Sequence, residues 1–456
     1  MHKQQLVSNN KNACYNWSRN PHLIHPLKDS RILLALLIVG LLAAEVFLSL
    51  WTGEQYDMNI WFQTGAWMTH GINIYLPNNH IGYPPLWALW CLVSYSIYGF
   101  FGNNIEIWRF AIKLPMIVAQ FTLAFVVYRF AQKWFNPKTA FKVFLFTLTC
   151  SFFVYIGVLW GQINILSALL TFLAFYAVVS KRFTVGGLLL GLAVALKIYP
   201  LIALPAFLIY IQKNRNWKEA GKFTLYTCAV PIVFTLSVLA AYGWDIVYFF
   251  KTIFYWAPIY DVNPTQLQGG CMNIWSFAGL LGVDISRIAV LRFLWIPVLA
   301  GTAVYWFRKR GMTDAELCLS LISFYLLFMV SYSWVTEQTF LDPMPFILLQ
   351  ILAFRPKRAY VYALAGVQAL VYAFSLFNGG PLIFEPLFTR FYPVLIGPAQ
   401  NLSTVNSVIS WQIRGNLGLV ISGSLVLFLL FLVEPEFVKK SRAELAKFRA
   451  TVFGKT

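Results

Sequence analysis

Asp57 comes just after the first long apolar run of the chain, and Lys197 is the one charge in "GLLLGLAVALKIYPLIALPAFLIYI", residues 187–211. An aspartate in that place suits two tasks. It can cap the helix that follows, a contact worth about 1 kcal/mol. It can also take a proton from a substrate, at a height above a membrane set by the preceding segment. Glu54 lies one turn away. A lysine in apolar sequence either snorkels to an interface or marks a site, the default reading for an ionisable group at membrane depth. The ligand that matches its charge is a phosphate. Arg287 and Arg292 add two cations, suited to a lipid headgroup, a phosphate or a nearby acid. "SWVTEQTFLDP", residues 333–343, sets Glu337 and Asp342 in a polar turn, with Glu337 the site candidate.

The elements around these residues are membrane helices. Hydrophobic residues make up 59% of the chain and charged residues 11%, against roughly a quarter charged in soluble proteins. Apolar runs long enough to span a bilayer recur from Ile32–Trp51 onward. The polar lead before Ile32 is too long for an ordinary secretory signal, so the first run is expected to remain as a span. A formal charge of +18 would suggest nucleic acid in a soluble protein; here it follows from Lys and Arg gathered in cytoplasmic loops, and no nucleic-acid partner is expected. The 6 cysteines form no CxxC pair and no metal or disulfide framework.

Basic clusters mark the cytoplasmic side: Lys3–Arg31, Arg129–Lys142, Lys181–Arg182, Lys213–Lys222, Arg308–Arg310, Arg355–Arg358 and Lys439–Lys455. The apolar runs between them must leave and return. The reading is an all-α polytopic fold of about twelve transmembrane helices. It comprises a cytoplasmic segment 1–31, a membrane domain 32–434 and a cytoplasmic tail 435–456. Both termini are expected in the cytoplasm, with a prokaryotic plasma membrane as the setting. The segment around Lys197 has basic markers of the same side at both ends. As one helix of roughly thirty residues it would be about 45 Å long, against a hydrocarbon core of about 30 Å. It is expected to form two short arms meeting at "KIYP" on the outer side. Met58, Trp61, Phe62, Gly65 and Met68 follow helical spacing and predict an amphipathic helix on the membrane surface. "GYPPLWALWCLVSYSIYGF" reads as re-entrant or interfacial. The polar and ionisable residues gather at the outer face instead of along a crossing path, which fits chemistry there better than conduction.

Several stretches together resemble the GT-C superfamily of membrane glycosyltransferases. These are Asp57 with Gly71 and Tyr75 after it, "YPPLWAL" beginning at Tyr83, "WGQINILSALL" with Gln162 and Asn164, and "GLLLGLAVALKIYP" with Lys197. Within the superfamily the chain is most similar to the polyprenyl-phosphate-mannose-dependent mannosyltransferases of glycosyltransferase family 87. It is more distantly similar to the first mannosyltransferase of GPI-anchor assembly. The resemblance implies a GT-C-like fold, a polyprenyl-phosphate sugar donor and a glycolipid or glycan acceptor bound at the outer face, next to membrane lipid. It implies Asp57 as general base and Lys197, with Arg292 and Arg287, at the lipid phosphate. Gln162, Asn164, Glu337 and Tyr83 would bind substrate, Gln162 and Asn164 either at sugar hydroxyls or by pinning their loop. Where many relatives carry a pair of acids this chain has "EQYDMN", and no metal or other cofactor is expected. A β-linked donor displaced in line would yield an α-linkage. Two alternatives remain at this stage: a flippase or transporter of lipid-linked sugars, which needs no carboxylate base, and a transferase with a diphosphate donor.

Overall fold

The computed structural model describes residues 25–79, 81–255, 272–275, 293–332, 335–378, 380–398, 400 and 407–433. Every regular element among them is helical. The chain divides into two units, residues 1–47 and 48–456, and the first is helical from His25. Arg287, Arg292 and the tail 435–456 lie outside the described residues, as does the segment before residue 25.

The α-helices of seven or more residues, in chain order among the described residues, are α1 (His25–Trp51), α2 (Gln55–Thr69), α3 (Pro85–Phe100), α4 (Ile105–Trp134), α5 (Pro137–Leu148), α6 (Asn164–Val179), α7 (Phe183–Leu196), α8 (Leu204–Asn214), α9 (Trp217–Tyr242), α10 (Trp295–Arg308), α11 (Asp314–Ser331), α12 (Arg358–Phe377), α13 (Glu385–Phe391) and α14 (Ser407–Val433). Side chains fix several starts by accepting a first-turn N–H: Asn104 from Ile107 at 2.9 Å, Asn136 from Thr139 at 2.8 Å and Asn216 from Glu219 at 2.9 Å. Thr313 and Glu316 close a reciprocal capping box on α11.

Seven helices among the described residues are long and apolar enough to cross a membrane: Ile32–Trp51, Ile105–Trp134, Pro137–Trp160, Trp217–Tyr242, Asp314–Ser331, Arg358–Phe377 and Ile413–Val433. The chain is an integral membrane protein on that ground. Helix α11 is buried along most of its length, as expected of a helix apolar all round at the centre of a bundle.

The region around Lys197 consists of two arms. Helix α7 stops at Leu196, a 3-10 turn covers Tyr199–Ala203, and α8 begins at Leu204. Pro200 and Pro205 remove two backbone donors there, which is enough to break an apolar helix. One face of α7 is closed by protein. A Cβ on Gly187 would lie 2.6 Å from the Phe223 carbonyl oxygen, and one on Gly191 would lie 2.8 Å from Val230 Cβ. Those glycines let α7 lie against α9, so that face is unavailable to a lipid tail.

Helix α2 departs from the sequence expectation in its surroundings. Its stripe of Met58, Trp61, Gly65 and Met68 is buried, but against protein: Trp61 meets Trp87 of α3 edge-on at 5.1 Å. A Cβ on Gly65 would lie 2.5 Å from the Cys91 carbonyl oxygen. Aromatic side chains on α3 give the stripe a partner that periodicity alone cannot name. Helix α3 has 16 residues, short of the roughly 20 that a span needs.

Candidate active site

The first turn of α2 is built to hold two carboxyl groups together. Glu54 is its N-cap, and Oε2 accepts the Asp57 N–H at 2.7 Å. The strand of chain before it is pinned on both sides, Gly53 N–H to the Ile383 carbonyl at 2.9 Å and Glu54 N–H to the Trp160 carbonyl at 3.1 Å. Lys113 of α4 completes the anchorage. Its fully buried ammonium donates to the Thr52 carbonyl at 2.6 Å and the Thr52 hydroxyl at 3.0 Å, with the Ser49 and Leu159 carbonyls at 3.4 Å. The charge is spread over carbonyl and hydroxyl oxygens, one of them the Ser49 carbonyl in the last turn of α1, where the helix dipole is negative. Lys113 thereby fastens the chain on either side of the Asp57 cradle.

The other half of the cradle comes from "WGQIN". A π-helical turn, Val154–Trp160, ends at Gly161, whose φ of 97° is left-handed. A Cβ at Gly161 would lie 2.5 Å from Met58 Cε and 3.1 Å from Lys113 Cε, so both conformation and space call for glycine. The turn aims successive polar groups at different targets. Trp160 Nε1 donates to Asp57 Oδ2 at 2.8 Å, and Gln162 Nε2 donates to the same oxygen. Gln162 Oε1 in turn lies 3.4 Å from the Tyr83 hydroxyl.

Asn164 opens α6 and faces the lysine. Lys197 Nζ donates to Asn164 Oδ1 at 2.9 Å, and Asn164 Nδ2 donates to Asp342 Oδ2 at 2.8 Å. Ser167, one turn on, donates to Asp342 Oδ1. The Lys197 ammonium also lies 5.7 Å from the Tyr83 ring centre and 5.1 Å from that of Tyr199, within range of a cation–π attraction. Lys197 is the C-cap of α7, a position where helix carbonyls favour a cation.

Electrostatics couples the acids. Burial pushes both Glu54 and Asp57 up, and each is raised or held by its neighbours. Glu54 rises to about 8, through burial first and the Asp57 charge second. Asp57 is raised by burial but drawn back by the Trp160 and Gln162 donors and by the Lys197 charge. Burial raises both acids, and each one's charge disfavours ionisation of the other, so the pair resists carrying two negative charges at once. Burial lifts Asp342 to about 6 against the pull of Lys197.

Glu337 stands apart from this network. It is fully buried and accepts from Ser375 at 3.0 Å and from Asn378 at 3.2 Å. Arg414 donates to Asn378 Oδ1 at 3.0 Å, and burial raises Glu337 to about 7. Its charge reaches Glu54, but its hydrogen bonds tie it to the end of α12, and Arg414 of α14 is reached only through Asn378. Sequence reasoning missed Trp160, Ser167, Tyr199 and the role of Asp342. Ser167 sits one helical turn from Asn164, a signal available in principle; the Asp342 contact depends on tertiary structure. Among the described residues no group of three or more His, Cys, Asp or Glu could hold a metal ion.

A search of curated proteins finds no match. The family model that matches does so over residues 80–331, a stretch that holds Tyr83, Gln162, Asn164, Ser167 and Lys197 and leaves Asp57 before it and Asp342 after it. That model describes Glycosyltransferase family 87, it covers more than half of the chain, and the protein belongs to that family of glycosyltransferases.

Proposed function

We propose that the protein transfers a hexose, mannose before others, from a polyprenyl-phosphate donor to a lipid- or glycan-linked acceptor, with inversion at the anomeric carbon. In this reading the chain crosses the membrane about twelve times with both termini in the cytoplasm, and the site faces the outer side of a prokaryotic plasma membrane.

The observation that carries the reading is the single turn 161–164, which holds an acid through Gln162 and a cation through Asn164. A sugar hydroxyl is a weak nucleophile, and a positioned carboxylate takes its proton as the new bond forms. Asp57 is that base, its Oδ2 fixed by Trp160 and Gln162. The acceptor oxygen bonds to the anomeric carbon while the bond from that carbon to the phosphate oxygen breaks, and the electron pair leaves on the polyprenyl phosphate. Negative charge grows on that phosphate, and a cation fixed in advance stabilises it most in the transition state. Lys197 supplies the cation. Its link to Asn164 and the Tyr83 and Tyr199 rings hold it without an ion pair at contact distance among the described residues, so it keeps attraction to offer an incoming phosphate. No metal takes part in this scheme.

The test is the purified protein in lipid, offered polyprenyl-phosphate mannose, polyprenyl-phosphate glucose and a nucleotide-sugar in parallel with a mixed glycolipid acceptor fraction. Product from the polyprenyl-phosphate mannose arm, with an α-linkage from a β-donor, supports the reading. Product from the nucleotide-sugar arm alone overturns it.

A further inference from the structure

A cavity of about 610 Å³ lies beside the first turns of α2, within the roughly 300–1,000 Å³ of ordinary small-molecule sites. It takes Gln55, Met58, Asn59 and Phe62 from one face of α2, and Asp57 stands on another face of the same helix. Trp51, Gly53, the start of α4 and the short helix α13 form the remaining walls. The chemistry of those walls is mixed in a specific way. Phe62 and Trp108 meet edge-on at 5.1 Å and give an aromatic side. Glu106 and Arg109 come from α4, and Glu385 and Arg390 from α13, so two carboxylates are matched by two guanidiniums. Neither arginine forms an ion pair with these acids among the described residues. Trp108 is 2% exposed, and its indole N–H has no hydrogen-bond partner there.

We infer that this cavity is a saccharide subsite, which holds the non-reacting part of the acceptor glycan by its neutral sugar rings. The inference rests on the transferase reading for the word acceptor. Planar carboxylate, guanidinium and carboxamide groups each present paired acceptors or donors, which suit vicinal hydroxyls. An aromatic wall receives the C–H face of a pyranose. A phosphate site would gather cations in excess, whereas these walls balance their charges. A lipid-tail groove would lack four charged side chains. Met58 lines the cavity and also lies against the Gly161 turn, so the cavity and the Asp57 cradle share the first turns of α2.

The test is saturation-transfer NMR on the full-length protein in lipid nanodiscs, with neutral trisaccharides of mannose, glucose and galactose, and with mannose 6-phosphate. The variants are Glu106→Gln, Arg390→Gln and Asp57→Asn. At least one neutral trisaccharide is expected to bind wild type and Asp57→Asn alike. Glu106→Gln and Arg390→Gln, each losing a charged hydrogen-bond partner, are expected to weaken it about tenfold or more. Arg390 is exposed on a short helix, so its replacement leaves the folded bundle for comparison. Absence of trisaccharide binding, binding indifferent to both cavity variants, or preference for mannose 6-phosphate would each overturn the inference. Co-purified lipid as the sole occupant would do the same. Because binding is read without turnover, failure here leaves the transfer reaction to be judged by its own assay.

Discussion

Gln162 and Asn164 stand two residues apart and hold the acid and the cation of the site, Gln162 donating to Asp57 and Asn164 accepting from Lys197 at 2.9 Å. The relationship makes the spacing of the proposed base and the cation a property of one turn. A disturbance of that turn should move both groups together.

Gly161 is the position where this can be tried. An alanine there needs a left-handed φ, a cost of roughly 1–2 kcal/mol, and places its Cβ against Met58. Gly161→Ala is expected to lower the unfolding temperature and to cut transfer more than tenfold (~1.4 kcal/mol on the barrier). Adding Met58→Ala relieves the overlap but not the φ, so the double variant should recover part of the loss. Full recovery would mean that the backbone conformation at Gly161 is unimportant.

Asn164→Ala removes the acceptor that holds Lys197 and strips a donor from buried Asp342. A lost hydrogen bond to a charged group costs about 1.5–3 kcal/mol. The donor KM is expected to rise with little change in the acceptor KM. Lys197→Arg should not rescue Lys197→Met, because the space between Tyr83 and Tyr199 fits a compact ammonium and a guanidinium is wider. Steady-state kinetics on reconstituted variants checks both statements.

Glu54 gives a pH signature with a definite sign. Its folded value of about 8 lies above the ordinary 4.5, so between these limits the folded state binds more proton than the unfolded state. Stability contributed by this group is complete below about pH 4.5 and declines as pH rises towards 8. Glu54→Gln removes the titration and keeps a side-chain oxygen for the cap. Across that window the unfolding temperature of wild type should fall relative to Glu54→Gln, and the gap should stop changing above about pH 8. Parallel curves would show that Glu54 ionises normally.

Metal removal provides a further check. Dialysis against EDTA followed by assay without divalent ions is expected to leave the transfer rate within about twofold, a change of under 0.5 kcal/mol in the barrier. Loss of activity that Mg²⁺ or Mn²⁺ restores would require a metal in the scheme.

Much of this site could be read from residue order because its parts sit where apolar pattern breaks. Asp57 follows a span, Lys197 interrupts an apolar stretch before a proline, and Gln162 and Asn164 follow a left-handed glycine. Each break is local, so composition reveals it. The membership of the network was not local. Asp342 lies 178 positions from Asn164 and 175 from Ser167, and nothing in "TFLDP" says which helix it will meet. Glu337 stood out in the same turn for the same reason of polarity, yet the chain directs it to Ser375 and Asn378. Lys113 lies inside the apolar helix α4, and only the packed chain shows the carbonyls of Thr52 and Leu159 converging on it. The stripe on α2 was legible as a stripe, but whether lipid or α3 would cover it depended on Gly65 allowing close approach.

The central claim is that Asp57 is the base in glycosyl transfer. Its most direct measurement is the single-turnover rate of transfer from polyprenyl-phosphate mannose by Asp57→Asn in lipid, alongside donor binding by the same preparation. Asparagine keeps the shape and accepts from Trp160 and Gln162 through its oxygen, but it cannot take a proton. The account predicts a rate lower by about 10²–10⁴-fold with donor binding retained. Transfer at close to the wild-type rate would contradict it.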